Sequence, residues 1–221
     1  MLPSDRREDQ SQKPRSIKAL EELGRVRLSP NFFMRDFLHS EIASFHGMSN
    51  IPDDPDLAIA AGRRLCEDCL EPMWERFGRI SIRSAFRSVE VNGFGNAHGL
   101  NCGSNEANFA GHIWDRRDAD GNMGATACIV VHAFLPYYEA TGHWEALAWW
   151  IHDHLPYDRL EFFPKLAAVN VGWRESRKRR IHSFIPPRRG LLTKPGMDNF
   201  DGRHETEYAE WLQLLAGPPS V

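Results

Sequence analysis

The chain has little of several features that would define its class. Only four of its 221 residues are cysteine, and 27 lysine and arginine residues face 30 acidic ones, for a formal net charge of −3. This balance argues against a dedicated polyanion binder, which would carry a marked positive excess. No apolar run approaches the roughly 20 residues of a membrane span, so we expect no membrane partner. The 42% of hydrophobic residues can bury a full core, with one domain as the default.

The N-terminal sequence carries charges but no apolar segment behind them, whereas a secretory signal needs one. We therefore expect a cytoplasmic protein, or one released by lysis if it is phage-encoded. Residues 1–26 are polar and mixed in charge, which predicts a flexible tail. The sequence predicts a domain over residues 27–200 and a C-terminal extension over 201–221.

The cysteines do not form a metal or disulfide framework. Cys66 and Cys69 form one C-x-x-C pair, while Cys102 and Cys128 are single, so a structural zinc site is unsupported. Cys69 also belongs to an apolar stripe with a spacing of four residues, which indicates the buried face of a helix. The stripe consists of Leu57, Ala61, Leu65, Cys69, Met73 and Phe77.

Periodicity and punctuation predict an α+β fold. Asp54 and Pro55 are typical of a helix start, and Gly78 is typical of the end of a helix that reaches Phe77. Apolar alternation predicts a strand near 80–84, and the glycine- and asparagine-rich run 92–105 predicts a loop. Further strands are predicted at 111–115, 125–132, 158–163, 167–173 and 179–184, and a further helix at 141–154. We expect a small antiparallel sheet with helices packed on one side.

Two motifs carry a family resemblance. The run Ser84-Ala-Phe-Arg87-Ser88 is followed by Asn92 and then by Asn108-Phe-Ala-Gly111-His-Ile-Trp-Asp115. This resembles the D-alanyl-D-alanine carboxypeptidase/Hedgehog-like zinc peptidase superfamily, where an S-G-Y-R-S run precedes H-x-x-G-x-A-x-D. The histidine and aspartate of that motif bind zinc. The spacing is kept here, but an amide, Asn108, stands in the position of the first ligand.

The same superfamily ends its site with a strand that carries the last zinc histidine. By resemblance, over roughly residues 28–184, that position is Asn170, and the general base expected three residues earlier is replaced by Ala167. A neutral amide is a poor zinc ligand and cannot act as a base at neutral pH. The resemblance thus implies a Hedgehog/DD-peptidase-like fold with a degenerate zinc site, a pseudoenzyme without bound metal or other cofactor.

The resemblance also implies where a ligand would bind. We expect Arg87, Asn108, Asp115 and Asn170 to converge in one cleft, with Asp115 and Asn170 on neighbouring strands. Amides both donate and accept hydrogen bonds, so the cleft would suit a peptide or a cell-wall fragment. In one alternative these side chains only form hydrogen bonds with one another, in a site that has lost its function. In another they bind a hard cation such as Mg²⁺ or Ca²⁺.

Two other functions stay open. Other histidines could rebuild a zinc site for a peptidoglycan or D-amino-peptide hydrolase, a metallopeptidase, although strand alternation over 111–115 would point His112 away from it. The basic segment Arg174–Lys194 could contact an anion or a nucleic acid. A solvated hairpin turn is the simpler interpretation of that segment, so a nucleic-acid partner is disfavoured.

Overall fold

A mixed α+β fold surrounds a six-stranded sheet in the computed structural model of the chain, which describes residues 13–216. The helices are α1 (Ile17–Gly24), α2 (Glu41–His46), α3 (Pro55–Leu65), α4 (Glu71–Phe77), α5 (Val89–Ala97), α6 (Asn105–Asn108), α7 (Leu135–Thr141), α8 (Glu145–His154) and α9 (Glu205–Ala216). The strands are β1 (Arg27–Ser29), β2 (Phe32–Phe33), β3 (Ile80–Ser84), β4 (Gly124–Val131), β5 (Arg159–Phe162), β6 (Val169–Arg174), β7 (Arg180–Ser183) and β8 (Gly190–Thr193). No helix among the described residues is long and apolar enough to cross a bilayer.

A π-helical turn, Cys66–Leu70, joins α3 and α4 into one long helix. Asp54 caps its start by accepting from the backbone N–H of Leu57, and Gly78 ends it with a φ of 71°, so both predicted ends are confirmed. Apolar residues spaced by four drift about 40° per step around an ideal α-helix, and the wider π-turn offsets this drift. The stripe is buried at Ala61, Leu65, Cys69, Met73 and Phe77.

The large sheet has the strand order β3-β4-β6-β5-β7-β8. Its neighbouring strands are antiparallel except for β5 and β7, which are parallel, so the expectation of a purely antiparallel sheet is wrong. The reason is the path of the chain: after β6 it passes the end of β5 instead of folding back beside β6. Residues 175–179 are therefore a crossing connection rather than a hairpin turn.

Alternation along the strands gives the sheet an apolar face and a polar face. The apolar face is buried, and α3 contacts it at β4 and β6. On the polar face, the register places residues of β4, β6, β5 and β7 side by side in two rows. One row is Thr126, Gly172, Arg159 and Arg180, and the other is Cys128, Asn170, Glu161 and His182.

Helices border both faces of the sheet, which corrects the expectation of helices on one side. α2 and α6 form walls of cavities over the polar face, through Ile42 and Asn108 respectively. α5 occupies the first part of the predicted loop 92–105. Its start is fixed by Ser88, whose hydroxyl accepts from the backbone N–H of Val91.

Both predicted flanking segments contain helices that pack on the domain. Residues 1–12 and 217–221 lie outside the described residues, but α1 within the predicted tail buries Leu23. In the predicted C-terminal extension, α9 buries Trp211, whose ring centroid lies 4.6 Å from that of Phe77. The burial of these apolar side chains makes α1 and α9 parts of the folded domain.

Candidate functional site

The segment between α6 and β4 packs against the polar face of the sheet. It forms successive tight turns instead of the strand predicted over 111–115, and the N–H of Gly111 donates to the carbonyl of Asn108 at 2.9 Å. The segment approaches the sheet so closely that a Cβ at Gly124 would lie 2.4 Å from the carbonyl oxygen of Ala110. Glycine at position 124 therefore permits this placement.

These turns bring His112 towards the polar face, which corrects the prediction that it points away. The residue is 7% exposed, and its Nδ1 lies 2.7 Å from the carbonyl oxygen of Ala85. Because a carbonyl only accepts, Nδ1 carries the proton and Nε2 keeps its lone pair. Burial and the nearby guanidinium of Arg87 lower the pKa of His112 to about 3, so the imidazole is neutral at physiological pH.

A cavity of about 40 Å³, here called the pit, lies between this segment and the sheet. Asn170 Nδ2 donates to Glu161 Oε2 at 2.9 Å, and Asn108 Nδ2 donates to the carbonyl of Ser104 at 3.0 Å. The structure thus brings Asn108 and Asn170 to one small polar cavity. The pit is lined by Ala107, Asn108, Gly111, His112, Thr126, Arg159, Glu161 and Asn170.

A cleft of about 470 Å³ adjoins the pit and shares His112 and Asn170 with it. Arg87 forms part of its wall and is only 9% exposed. Its Nη1 contacts Cys102 Sγ, while its buried Nε has no hydrogen-bond partner in the described part of the chain. The guanidinium of Arg87 is therefore only partly hydrogen-bonded by the protein where it forms the cleft wall. The charged side chains of the cleft are Glu41, Arg83, Arg87 and Lys165.

Asp115 lines neither the pit nor the cleft, which corrects its predicted role and its predicted place on a strand beside Asn170. Its buried carboxylate accepts from the backbone N–H of Asp53 at 2.6 Å and lies 3.6 Å from the guanidinium of Arg116. Burial raises the pKa of this carboxyl. Asp115 therefore anchors the loop that precedes α3.

The cleft is better suited to binding than to nucleophilic chemistry. Its thiol, Cys128, lies in the row of Asn170 and Glu161, and burial raises the pKa of Cys128 to about 11. The thiolate, which is the reactive form, is scarce at neutral pH under these conditions. The site instead offers amides, a neutral imidazole and several cations.

The basic segment Arg174–Lys194 is not one continuous cationic surface. Arg174 is buried and pairs with Asp118 at 2.8 Å, and Arg179 donates to two backbone carbonyls at the C-terminal end of α8. The other cations of the segment are exposed. A contact between these exposed cations and an anion or nucleic acid stays a prediction.

A separate cluster, His152, Asp153 and His204, lies where α8 meets α9. Nδ1 of His204 lies 2.8 Å from Asp153 Oδ1, and its Nε2 lies 3.0 Å from the carbonyl of Asn199. Both ring nitrogens of His152 are also hydrogen-bonded, to a tyrosine hydroxyl and a backbone carbonyl. Because each potential ligand atom has a protein partner, we interpret the cluster as the network that docks α9. Within residues 13–216, no other group of three His, Cys, Asp or Glu side chains meets this closely.

Sequence reasoning missed His112, Glu161 and Arg159 as site residues. The signal for the last two was present, because Arg159 and Glu161 alternate with Leu160 and Phe162 along β5. No protein-family model, curated protein or solved structure matches this chain.

Proposed function

We propose that the protein binds a peptide or cell-wall fragment through a free carboxylate, without cleaving it, in the cleft over the polar face. The observation that carries this proposal is Arg87. Its guanidinium is largely buried at the cleft wall, and among the described residues its only side-chain contact within hydrogen-bond distance is from Nη1 to Cys102 Sγ. An incompletely paired buried cation is costly, and a ligand carboxylate would accept from it in a strong charge-assisted hydrogen bond.

The surroundings of Arg87 support the same ligand class. Arg83 and Lys165 add positive charge to the cleft against the single carboxylate of Glu41, which favours anions and speeds their capture. Its volume of about 470 Å³ falls in the usual range of small-molecule sites. Apolar groups of the ligand would contact Ile42, Leu100 and Phe163, which line the same cleft.

Binding without cleavage follows from the residues at the two resemblance positions. By resemblance, Asn108 and Asn170 occupy the positions of the zinc histidines in the zinc peptidase superfamily, and both amides donate to protein acceptors. Neither amide can serve as a general base. We infer a peptidase-like scaffold in which Asn108 and Asn170 still meet, whereas Asp115 lies outside the site. Such a scaffold would lack the standard chemistry.

The test is calorimetric titration with N-acetyl-D-alanyl-D-alanine and with its C-terminal carboxamide. We expect the acid to bind and the carboxamide to bind at least about tenfold more weakly, because one charge-assisted hydrogen bond is lost. Arg87→Gln should cause a similar loss, Arg87→Lys a smaller one, and the exposed control Arg189→Gln none, with thermal melts confirming that each variant folds. Equal binding of acid and carboxamide, or release of D-alanine, would contradict the proposal.

One observation favours a metallopeptidase with a rebuilt site as a second candidate. Nδ1 of His112 donates to a backbone carbonyl and its Nε2 lone pair remains, as is common for metal-bound histidines. This candidate predicts one zinc per chain after expression with added zinc, and hydrolysis that a chelator abolishes. Zinc-free protein that still binds the acid would exclude it.

A further inference from the structure

Several hydrogen-bond acceptors of the pit lack a protein partner, and the guanidinium of Arg159 adds donors to the same walls. The Nδ2 groups of Asn108 and Asn170 donate to Ser104 and Glu161, so both amide oxygens remain without a partner in the described chain. His112 Nε2 adds a lone pair, because Nδ1 carries the proton. Thr126 contributes a hydroxyl to the same walls. A ligand group with several donors would satisfy these unpartnered acceptors.

The pit has one carboxylate, Glu161, and one guanidinium, Arg159. Glu161 accepts from Asn170 and lies 3.7 Å from the partly exposed guanidinium of Arg159. Arg159 lines both the pit and a neighbouring cavity of about 250 Å³. Glu161 lines the pit but not that neighbouring cavity. The pit volume of about 40 Å³ is enough for one small group.

We propose that the pit binds a primary ammonium group of the same ligand whose carboxylate contacts Arg87. The ligand class is then a compound with both an amine and a carboxylate, such as an amino acid or a peptide with a free amino group. An ammonium group has three donors and no acceptor, which matches these walls, whereas a peptide N–H would satisfy only one of the acceptors. A divalent metal usually requires more anionic ligands than Glu161 alone. The guanidinium of Arg159 also repels a doubly charged ion about twice as strongly as an ammonium group. The inference rests on the proposed function.

The two ends of such a ligand can be varied independently. We would titrate the protein with ω-amino acids from glycine to 6-aminohexanoate, with the matched carboxylic acids that lack the amine, and with the matched amines that lack the carboxylate. One chain length should fit the separation of Arg87 and the pit. At that length the amino acid should bind at least about tenfold more tightly than the matched acid.

Glu161→Gln tests the pit itself, because it removes the charge and keeps the shape of the side chain. This variant should abolish the advantage of the amino acid and leave binding of the matched acid unchanged. The exposed Glu139 on α7 provides the control Glu139→Gln, which should change neither. Thr126→Val, which is nearly isosteric, should weaken amine binding by a smaller factor and guards against misfolding of the first variant.

The outcomes separate this inference from the proposed function. If the carboxylic acids bind and the matched amino acids bind no more tightly at any chain length, the pit inference is overturned while the role of Arg87 stands. If amines bind through Glu161 and the carboxylate adds nothing, the pit inference stands and the proposed function fails. Binding of Zn²⁺ or Ca²⁺ alone, lost in Glu161→Gln, would show that the pit is a metal site and would overturn the inference.

Discussion

Replacement of Asn170 by alanine should cost little stability. The Asn170 side chain makes one hydrogen bond, to Glu161, and faces the pit rather than the apolar core. Loss of one such bond costs about 0.5–1.5 kcal/mol. The side chain of Glu161 is 26% exposed, so water can hydrate the carboxylate oxygen that loses its partner. For a chain of this size, that free energy corresponds to a fall in Tm of roughly 1–6 °C.

The assay is calorimetric unfolding of Asn170→Ala beside Asn92→Ala at neutral pH. Asn92 is fully buried and donates to both the Gly103 carbonyl and Asn105 Oδ1, so its truncation loses two hydrogen bonds and leaves a buried void, at a cost of about 2–4 kcal/mol. We expect a clearly smaller loss for Asn170→Ala. Equal losses would mean that the asparagines of the pit form a collapsed structural network, and the binding interpretation would then lose its physical basis.

Three further predictions concern individual side chains. The imidazole of His112, with a pKa of about 3, should not titrate between about pH 5 and pH 8 in nuclear magnetic resonance spectra, and a midpoint near 6.5 would contradict its burial. Burial raises the pKa of Asp115, so its contribution to stability is fully present below the unfolded pKa and is lost as the pH rises through the folded pKa. Asp115→Asn, which keeps an acceptor for the N–H of Asp53, should reduce this decline in urea unfolding measured from acid to neutral pH, and an unchanged pH dependence would refute the assignment. Asp153→Ala removes the carboxylate that accepts from His204 and Tyr208 and should lower the free energy of unfolding by about 2–4 kcal/mol. Amide-exchange protection should then be lost selectively in α9. Full protection of α9 would show that the network does not dock this helix.

Local signals were sufficient for much of the core fold. The Asp54 cap and Gly78 delimit the long helix because both act within one turn of the chain. Alternation identified β3, a run of mostly apolar residues identified β4, and the strands predicted near 158–163, 167–173 and 179–184 correspond to β5, β6 and β7. The same alternation marks Arg159, Glu161 and Asn170 as polar-face residues once the register of the strands is known.

The remaining features depend on contacts between distant parts of the chain. The tight turns at Asn108–Asp115 require the close approach at Gly124, which no local pattern in the turn itself reveals. The prediction that His112 points away from the site was wrong because it assumed a strand over residues 111–115. Likewise, α9 is a part of the fold because Trp211 reaches Phe77, and the parallel pairing of β5 with β7 is set by the path of the connection.

The most direct test of the central claim is the set of guanidinium N–H resonances of Arg87 in an ¹⁵N–¹H correlation spectrum. In the free protein the guanidinium lines the cleft and is only partly hydrogen-bonded by residues 13–216. Addition of N-acetyl-D-alanyl-D-alanine should move the proton resonance of Arg87 strongly downfield, because a carboxylate then accepts from it, while the carboxamide should have little effect. An unchanged Arg87 resonance at saturating acid, with shifts confined to the exposed Arg83, would contradict a carboxylate-binding cleft at this site.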